Sequence, residues 1–332
     1  MLASGSGPKT VGVTVTTGSA TARRPVSFST GGLPEAQRIA LWEDHNAHAL
    51  IGLRCHTLGG TPFDGTELNL ELEQLHLARV RSNAHVVERP AEVIRKHPTD
   101  AVAVYLTLVG EAFFYHDDGV LTLRPGQALI CDADRPFMRG FSHGLEELAI
   151  KVPRPLFREL TGLKSLNTPL VRGFAGGDVP ARTFARLIDR ALRPEGGEPV
   201  DERIALDLLA SMAGSRPVNL GTVHLANART FIEDHLTDSG LTAARVATGI
   251  GISERHLSRA FAAAGTTVPQ YVLARRLERA RALLASSPQL PVGEVAARCG
   301  FGSATHFSQA FRARFGLRAT DLRRQARAGR LG

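Results

Sequence analysis

The chain has 332 residues, 43% of them apolar and 22% charged, with a formal net charge of +8 at pH 7. That length leaves room for two or three compact domains, and that apolar fraction excludes a disordered protein. The longest apolar run, Ala101 to Val109, is too short to span a bilayer, and Cys55, Cys131 and Cys299 are scattered with no Cys-x-x-Cys, which points to a reducing cytoplasm rather than a disulfide scaffold.

Residues 1–30 are rich in Gly, Ser and Thr and lack an apolar run behind basic residues, so they read as a flexible tail with no secretory signal. Residues 35–50 read as a helix with Ile39, Leu41, Trp42 and Ala49 at its apolar positions. From about 53 to 152 the pattern changes to short strands. Glu67 to Glu73 alternates with period two, and further strands are expected at 75–81, 84–88, 101–109, 112–116, 119–123, 127–131, 136–141 and 145–152. Asp117-Asp118-Gly119, Arg124-Pro125-Gly126 and the loop from Asp132 to Pro136 supply the turns. So many closely spaced strands predict a small antiparallel barrel or jelly roll, with the domain taken as 31–175.

Eight histidines in the first 223 residues raise the alternative of a metal-dependent barrel enzyme. His45 and His48 fall on the predicted first helix, whereas His56, His76, His85, His97, His116 and His143 stand apart with no His-x-His. No Gly-x-Ser-x-Gly, P-loop or dinucleotide fingerprint occurs. A ligand pocket is the better reading, with no catalytic residue, metal or cofactor expected and no effector-binding residue assigned.

Helices follow at 153–160, near 179–192 and at 199–213, broken at Gly196-Gly197. Ile204, Leu208 and Met212, with Leu209 beside them, form an apolar stripe that makes 176–213 a candidate homodimerisation segment, although the same stripe could pack on its own barrel. Residues 214–222 contain Gly and Pro without periodicity and read as a linker into a domain at 223–332.

Beyond the linker every segment is helical: 223–236, 243–249, 253–264, 268–285, 292–298, 303–315 and 319–327. One pattern occurs twice. Ala247, Gly251, Ser253, Leu257 and Phe261 are matched by Ala296, Gly300, Ser303, Phe307 and Phe311. Each set reads as a helix-turn-helix, with a small residue for close packing, glycine for the tight turn, and apolar residues four apart on the buried face of the second helix. Between them, an 18-residue helix of about 27 Å would set two recognition helices roughly one duplex turn apart. Leu273, Leu277, Ala280 and Leu284 form its buried face, and Arg275, Arg276, Arg279 and Arg281 lie largely elsewhere on it. From His224 to Gly332 there are 16 arginines, no lysine and 7 acidic residues, a net +9, whereas the preceding residues sum to −1. A cation excess confined to one domain is the footprint of a phosphate-binding surface.

These features resemble the DNA-binding domain of the AraC/XylS family of transcriptional regulators over residues 224–324, including Val268-Pro269-Gln270-Tyr271-Val272 leading into Arg276-Leu277 and Ala280, and Cys299-Gly300-Phe301 opening the second module. Leu123-Arg124-Pro125-Gly126 and Asp132-Ala133-Asp134-Arg135-Pro136-Phe137 are similar to the cupin-related sensor domain of one branch of that family. After Gly316 the family usually has Ser-Pro before Tyr-Arg, where this chain has Ala319-Thr320 and then Leu322-Arg323. The fold implied is α+β, a cupin-like antiparallel barrel with flanking helices followed by an all-α double helix-turn-helix domain. The resemblance implies base contacts from Arg255, Ser258 and Arg259 in the first module and Thr305, His306 and Gln309 in the second. Phosphate contacts are expected from Ser253, Ser303, Arg312 and Arg314, with helix capping the simpler role for the two serines. The implied partners are double-stranded promoter DNA, a small-molecule effector and RNA polymerase. A barrel that has lost its ligand and serves only assembly is the second reading, and an enzyme fused to a DNA-binding module the third.

Overall fold

A computed structural model describes residues 25–176, 178–193, 200–214 and 220–328. The predicted break at Gly196-Gly197, most of the tail and residues 215–219 of the linker lie outside them. Among the described residues the first half holds twelve strands: β1 (Val26–Ser29), β2 (Arg54–Thr57), β3 (Gly65–Glu71), β4 (His76–Ser82), β5 (His85–Arg89), β6 (Ala101–Val109), β7 (Ala112–His116), β8 (Gly119–Leu123), β9 (Gln127–Asp132), β10 (Phe137–Phe141), β11 (Leu145–Pro153) and β12 (Leu170–Gly173). Helices α1 (Glu35–Ala49), α2 (Ala91–Lys96) and α3 (Arg154–Thr161) interrupt them, and α4 (Val179–Ala191) and α5 (Glu202–Met212) follow.

The strands pair antiparallel in two sheets, ordered β1-β3-β4-β11-β6-β9-β12 and β2-β5-β10-β7-β8. Strand alternation gives the larger sheet two buried faces. Ala78, Val80, Ala103, Tyr105 and Ala149 face the smaller sheet across the barrel interior, while Leu77, Val102, Val104, Leu106, Leu148 and Ile150 face outward under helices α3 to α5. This is the reason strand β6 reads as a continuous apolar run.

Two arginines converge on one loop of the barrel. Arg89, with its side chain fully buried, donates to the carbonyls of Ala133, Gly52 and His97, to Thr99 and to the Asp134 carboxylate. Asp134 also accepts the N–H groups of Thr99 and Asp100, which fixes Asp100 at a positive φ of 46°. Arg154 bridges Asp100, Asp132 and Asp134. The Asp132 to Pro136 loop noted in the sequence is thus the acceptor side of a structural clamp.

Several expectations need correction. The tail reading included Val26–Ser29, which pair with Thr66 to Asn69 as the edge strand β1. The linker reading ran to 222, but helix α6 (Leu220–Asp234) begins inside it. Ile204, Leu208, Leu209 and Met212 do not form a free stripe for subunit pairing: each is at most 5% exposed, packed between the outer sheet face and α4 and α6 of the same chain. The period-two strand at Glu67 is buried on both faces, with Glu67 and Asn69 toward the interior and Leu70 in the outer cluster.

The remaining helices are α7 (Ala243–Gly249), α8 (Glu254–Ala263), α9 (Val268–Ser286), α10 (Val292–Arg298), α11 (Ala304–Phe315) and α12 (Ala319–Ala328). Helix α9 starts on a capping box between Thr267 and Gln270 with Pro269 in its first turn. It divides its buried face between two cores. Val268 and Val272 join Leu257, Ala260 and Phe261 in the cluster that continues through α6 to the outer sheet face, whereas Leu277, Ala280 and Leu284 join Phe307 and Phe311 in a separate cluster.

Candidate nucleic-acid interface

The two modules share their turn geometry. Ile252 N–H donates to Ala247 O and Phe301 N–H to Ala296 O, both at 3.0 Å, and Gly251 and Gly300 take φ of +72° and +81°. A Cβ on Gly300 would lie 2.6 Å from the carbonyl oxygen of Leu236, so glycine is required there for closeness as well as for conformation. The second turn is one residue longer, because Gly302 precedes Ser303.

Ser253 and Ser303 stand at the N-caps of α8 and α11, and their hydroxyls accept the N–H of His256 and His306, each at 3.3 Å. Burying Leu257, Ala260 and Phe261 in α8 turns Arg255, Ser258 and Arg259 outward, and all three are exposed. Burying Phe307 and Phe311 does the same in α11 for Thr305, His306, Gln309 and Arg312. Arg255, Arg259 and Arg312 form no ion pair with any described residue, so their charge is available to a partner. Exposed Arg314 lies 3.6 Å from Glu278.

Other arginines of this domain serve the fold. Arg276 donates to the carbonyls of Leu236 and Asp238, and Arg275 pairs with Glu233 at 2.6 Å. These two belong to the junction between α6 and α9, which the even distribution of arginine along the helix did not distinguish from a solvated face.

A second site, unassigned from the sequence, lies inside the barrel. A cavity, whose roughly 550 Å³ of space between protein atoms includes its opening to solvent, is walled by Trp42, Leu50, Ile51, Leu53, Val87 and Phe141, with polar groups from Asn46, His85, Tyr105, Arg139, Glu147 and Lys151. Arg139 and Glu147 form a two-pronged ion pair at 2.9 and 2.6 Å, with side chains 3% and 5% exposed, and the guanidinium stacks 3.8 Å above the Tyr105 ring. Burial opposes the charge on Arg139, but the Glu147 carboxylate more than offsets it and holds its pKa above the ordinary value. Burial lowers the pKa of Lys151 and pushes that of His85 down to about 4, so His85 is neutral at pH 7. Burial also raises the thiols of Cys55 and Cys131 to about 12, which makes them inert fillers. Arg139 Nε and both Glu67 carboxylate oxygens are buried with no hydrogen-bond partner among the described residues. Three charged residues at inward parity with Ala149 and Phe141 were the sequence signal for this site, had strand register been known in advance.

Among the described residues no cluster of three metal-ligating side chains occurs, and no helix is long and apolar enough to cross a membrane.

Comparison with known proteins agrees with both halves. A profile of the AraC-binding-like domain matches residues 42–237, and a profile of a helix-turn-helix domain matches residues 246–325. The transcriptional activator NphR of a Rhodococcus species is 26% identical over 269 residues, covering 78% of this chain and 77% of its own. The crystal structure of the AraC-like transcriptional activator CuxR aligns over 82% of this chain and 99% of its own, at 20% identity and a TM-score of 0.48. The DNA-binding domain of AdpA, solved in complex with a target DNA, aligns over 32% of this chain and 95% of its own, at 29% identity and a TM-score of 0.30. With an AraC-binding-like domain of two antiparallel sheets ahead of a duplicated helix-turn-helix, the chain belongs to the AraC family of DNA-binding transcriptional regulators.

Proposed function

We propose that this regulator reads two successive major-groove faces of promoter DNA and that a small effector in the barrel sets its activity. The observation that carries the first part is the pair of outward faces on α8 and α11, on which Arg255, Arg259 and Arg312 pair with no described residue and which are joined by one continuous helix. Nineteen residues at 1.5 Å each make α9 roughly 28 Å long, near one turn of B-DNA. Arg255, Ser258 and Arg259 then meet bases in one groove segment, and Thr305, His306 and Gln309 in the next. Arg312, Arg314 and the N-terminal turns at Ser253 and Ser303 hold phosphate.

Binding titrations over a set of operator variants and salt concentrations test this map. Arg259→Ala is expected to relax preference at one base pair, a loss of about 1–3 kcal/mol of discrimination. Arg312→Ala is expected to weaken all sequences alike and to reduce the salt slope by about one. If both variants keep wild-type affinity for every sequence, the assignment of these faces is wrong.

For the second part, polar groups left unsatisfied inside a barrel are costly if the barrel is only a scaffold. This favours a ligand site over a purely assembling domain. The route to DNA runs through contacts between domains. Glu202, in the first turn of α5, accepts the N–H groups of Glu73, Gln74 and Leu75 in the β3–β4 turn at 3.2, 2.7 and 2.7 Å. The adjoining Asp201 caps α5 and pairs with Arg229 of α6, whose guanidinium lies 5.3 Å from the Tyr271 ring centre on α9. A change in the barrel wall at β3 and β4 can therefore bias the seat of α9. Glu202→Ala is expected to leave operator affinity without effector within about twofold of wild type and to reduce effector dependence in a reporter assay. A full effector response in that variant would remove this route.

RNA polymerase remains the expected partner of a promoter-bound regulator. Two modules in one chain supply both groove contacts without a second copy, and any dimer must use a surface other than the buried α5 stripe. Sedimentation of the full chain with and without operator DNA measures this directly.

A further inference from the structure

The barrel cavity has a charge pattern that restricts what it can hold. The inner face of β11 carries Glu147, Ala149 and Lys151 in sequence, so the two charged ends stand about 14 Å apart at roughly 3.4 Å per residue. Cross-strand pairing sets Ala103 beside Lys151, Tyr105 beside Ala149 and Thr107 beside Glu147. The two alanines leave the middle of this face open. At one end the Glu147 carboxylate is saturated by both prongs of Arg139, so it offers no charge to a ligand. At the other end Lys151 donates to the carbonyl of Leu50 at 2.9 Å and approaches that of Ala49 at 3.5 Å, but makes no ion pair with a described residue. Glu71, at the exposed end of β3, is the carboxylate whose field raises its pKa, and burial outweighs that effect.

Carbonyl acceptors orient an ammonium without neutralising it. An uncompensated positive charge in a mostly apolar cavity costs free energy until an anion joins it. Arginine outnumbers lysine 36 to 4 in the chain, yet the cation at this end of the cavity is a lysine. Its compact ammonium suits a single anionic group on a small ligand, whereas a guanidinium would fill the space with its fork. The remaining walls are mostly apolar, Trp42, Leu50, Ile51, Leu53, Val87 and Phe141, and two further polar side chains there are engaged with backbone, Asn46 donating to the carbonyl of Trp42 and His85 Nδ1 lying 2.9 Å from the carbonyl oxygen of Asn83. Such walls suit an apolar ring or branched alkyl body better than the many hydroxyls of a sugar. The Tyr105 hydroxyl and Arg139 Nε, neither hydrogen-bonded to a described residue, supply one polar point at the far end.

We propose that the barrel binds a small monocarboxylate with an apolar body about the size of one ring, its carboxylate on Lys151 and its body over Ala149 between Trp42 and Phe141. This rests on the reading of the barrel as the effector site and names the chemistry of that site.

Calorimetric titration of the full chain with three matched probes, benzoate, benzamide and benzylamine, tests the charge preference. Benzoate is expected to bind, with the amide and the amine at least about tenfold weaker, the size of one charge-assisted hydrogen bond. Lys151→Met should weaken benzoate about 10- to 100-fold and erase the preference, and Lys151→Arg should restore part of it. Because Lys151 also holds the end of α1, Ala149→Leu serves as a second variant that fills the cavity and leaves the charge in place. It should abolish benzoate binding with the folded state retained by circular dichroism. Equal or tighter binding of benzamide or benzylamine, lost in Ala149→Leu, overturns the anion class and leaves the effector site standing. Benzoate binding that survives Ala149→Leu overturns the location. If no probe binds, the monocarboxylate proposal fails. The effector reading fails separately if Ala149→Leu leaves reporter output unchanged under every growth condition to which the wild-type chain responds.

Discussion

Arg139→Met is expected to lower the stability of the full chain by about 3–5 kcal/mol in urea denaturation, because it leaves the Glu147 carboxylate buried and unpaired. Arg139 and Glu147 have side chains 3% and 5% exposed, and the guanidinium also lies over the rings of Tyr105 and Phe141. The double variant Arg139→Met/Glu147→Leu removes both charges and should recover most of the loss, since a buried ion pair and an apolar pair of similar volume are often close in free energy. That recovery separates two roles. If the pair served only folding, the double variant would behave as wild type in every respect. If it shapes a ligand site, the double variant folds and fails to respond to effector in a reporter assay. A single substitution costing less than about 1 kcal/mol would mean that water reaches the pair and that the barrel interior is not sealed.

The same pair shows why part of the molecule was legible in its sequence and part was not. Helices α7 to α12 announce themselves through repeated local signals: a small residue, a glycine at positive φ and apolar residues four apart. Each of these depends on neighbours within one turn of chain, so spacing alone located them. The strands from 65 to 153 were equally visible through their turns. What spacing could not supply was direction. The Glu67 to Glu73 alternation identifies a strand without saying that its polar residues face inward. Only pairing with β4, which sets Glu67 opposite Val80 and Asn69 opposite Ala78, puts them on the barrel's inner face. Arg139, Glu147 and Lys151 lie on β10 and β11, neighbours in different sheets, and their meeting depends on closure of the barrel. The α5 stripe misled for a related reason. An apolar face must be covered, but the sequence does not say by what, and here α6 arrives from beyond the linker to cover it. The short edge strands β1 and β12, four residues each, carry too few alternations to register as a pattern.

Phe307→Ala should remove a ring that is fully buried among Phe301 and Phe311, with ring centres 4.9 and 5.4 Å away, at a cost of about 3–5 kcal/mol. Where that loss appears depends on the division of α9 between two cores. The cluster around Phe307 is limited to the second half of α9 and to α10, α11 and α12, whereas the cluster around Phe261 runs on through α6, α4 and α5 to the outer face of the larger sheet. Phe307→Ala is therefore expected to accelerate amide hydrogen exchange from about 290 to 328 and to leave α6, α8 and the barrel protected. Its promoter binding should fall to that of a single module, with preference kept only at the base pairs proposed for Arg255 and Arg259. Phe261→Ala, a deletion of equal chemistry in the first module at the position that matches Phe311, should instead loosen α4, α5 and α6 together with α8, and with them the contacts that join barrel to DNA-binding helices. Equal exchange profiles in the two variants would show that the cores act as one cooperative unit. The contrast matters for regulation because only the first module is continuous with the sensor. A signal from the barrel would alter its seating directly, while the second module would feel it through α9 and through the close approach of Gly300 to the carbonyl of Leu236.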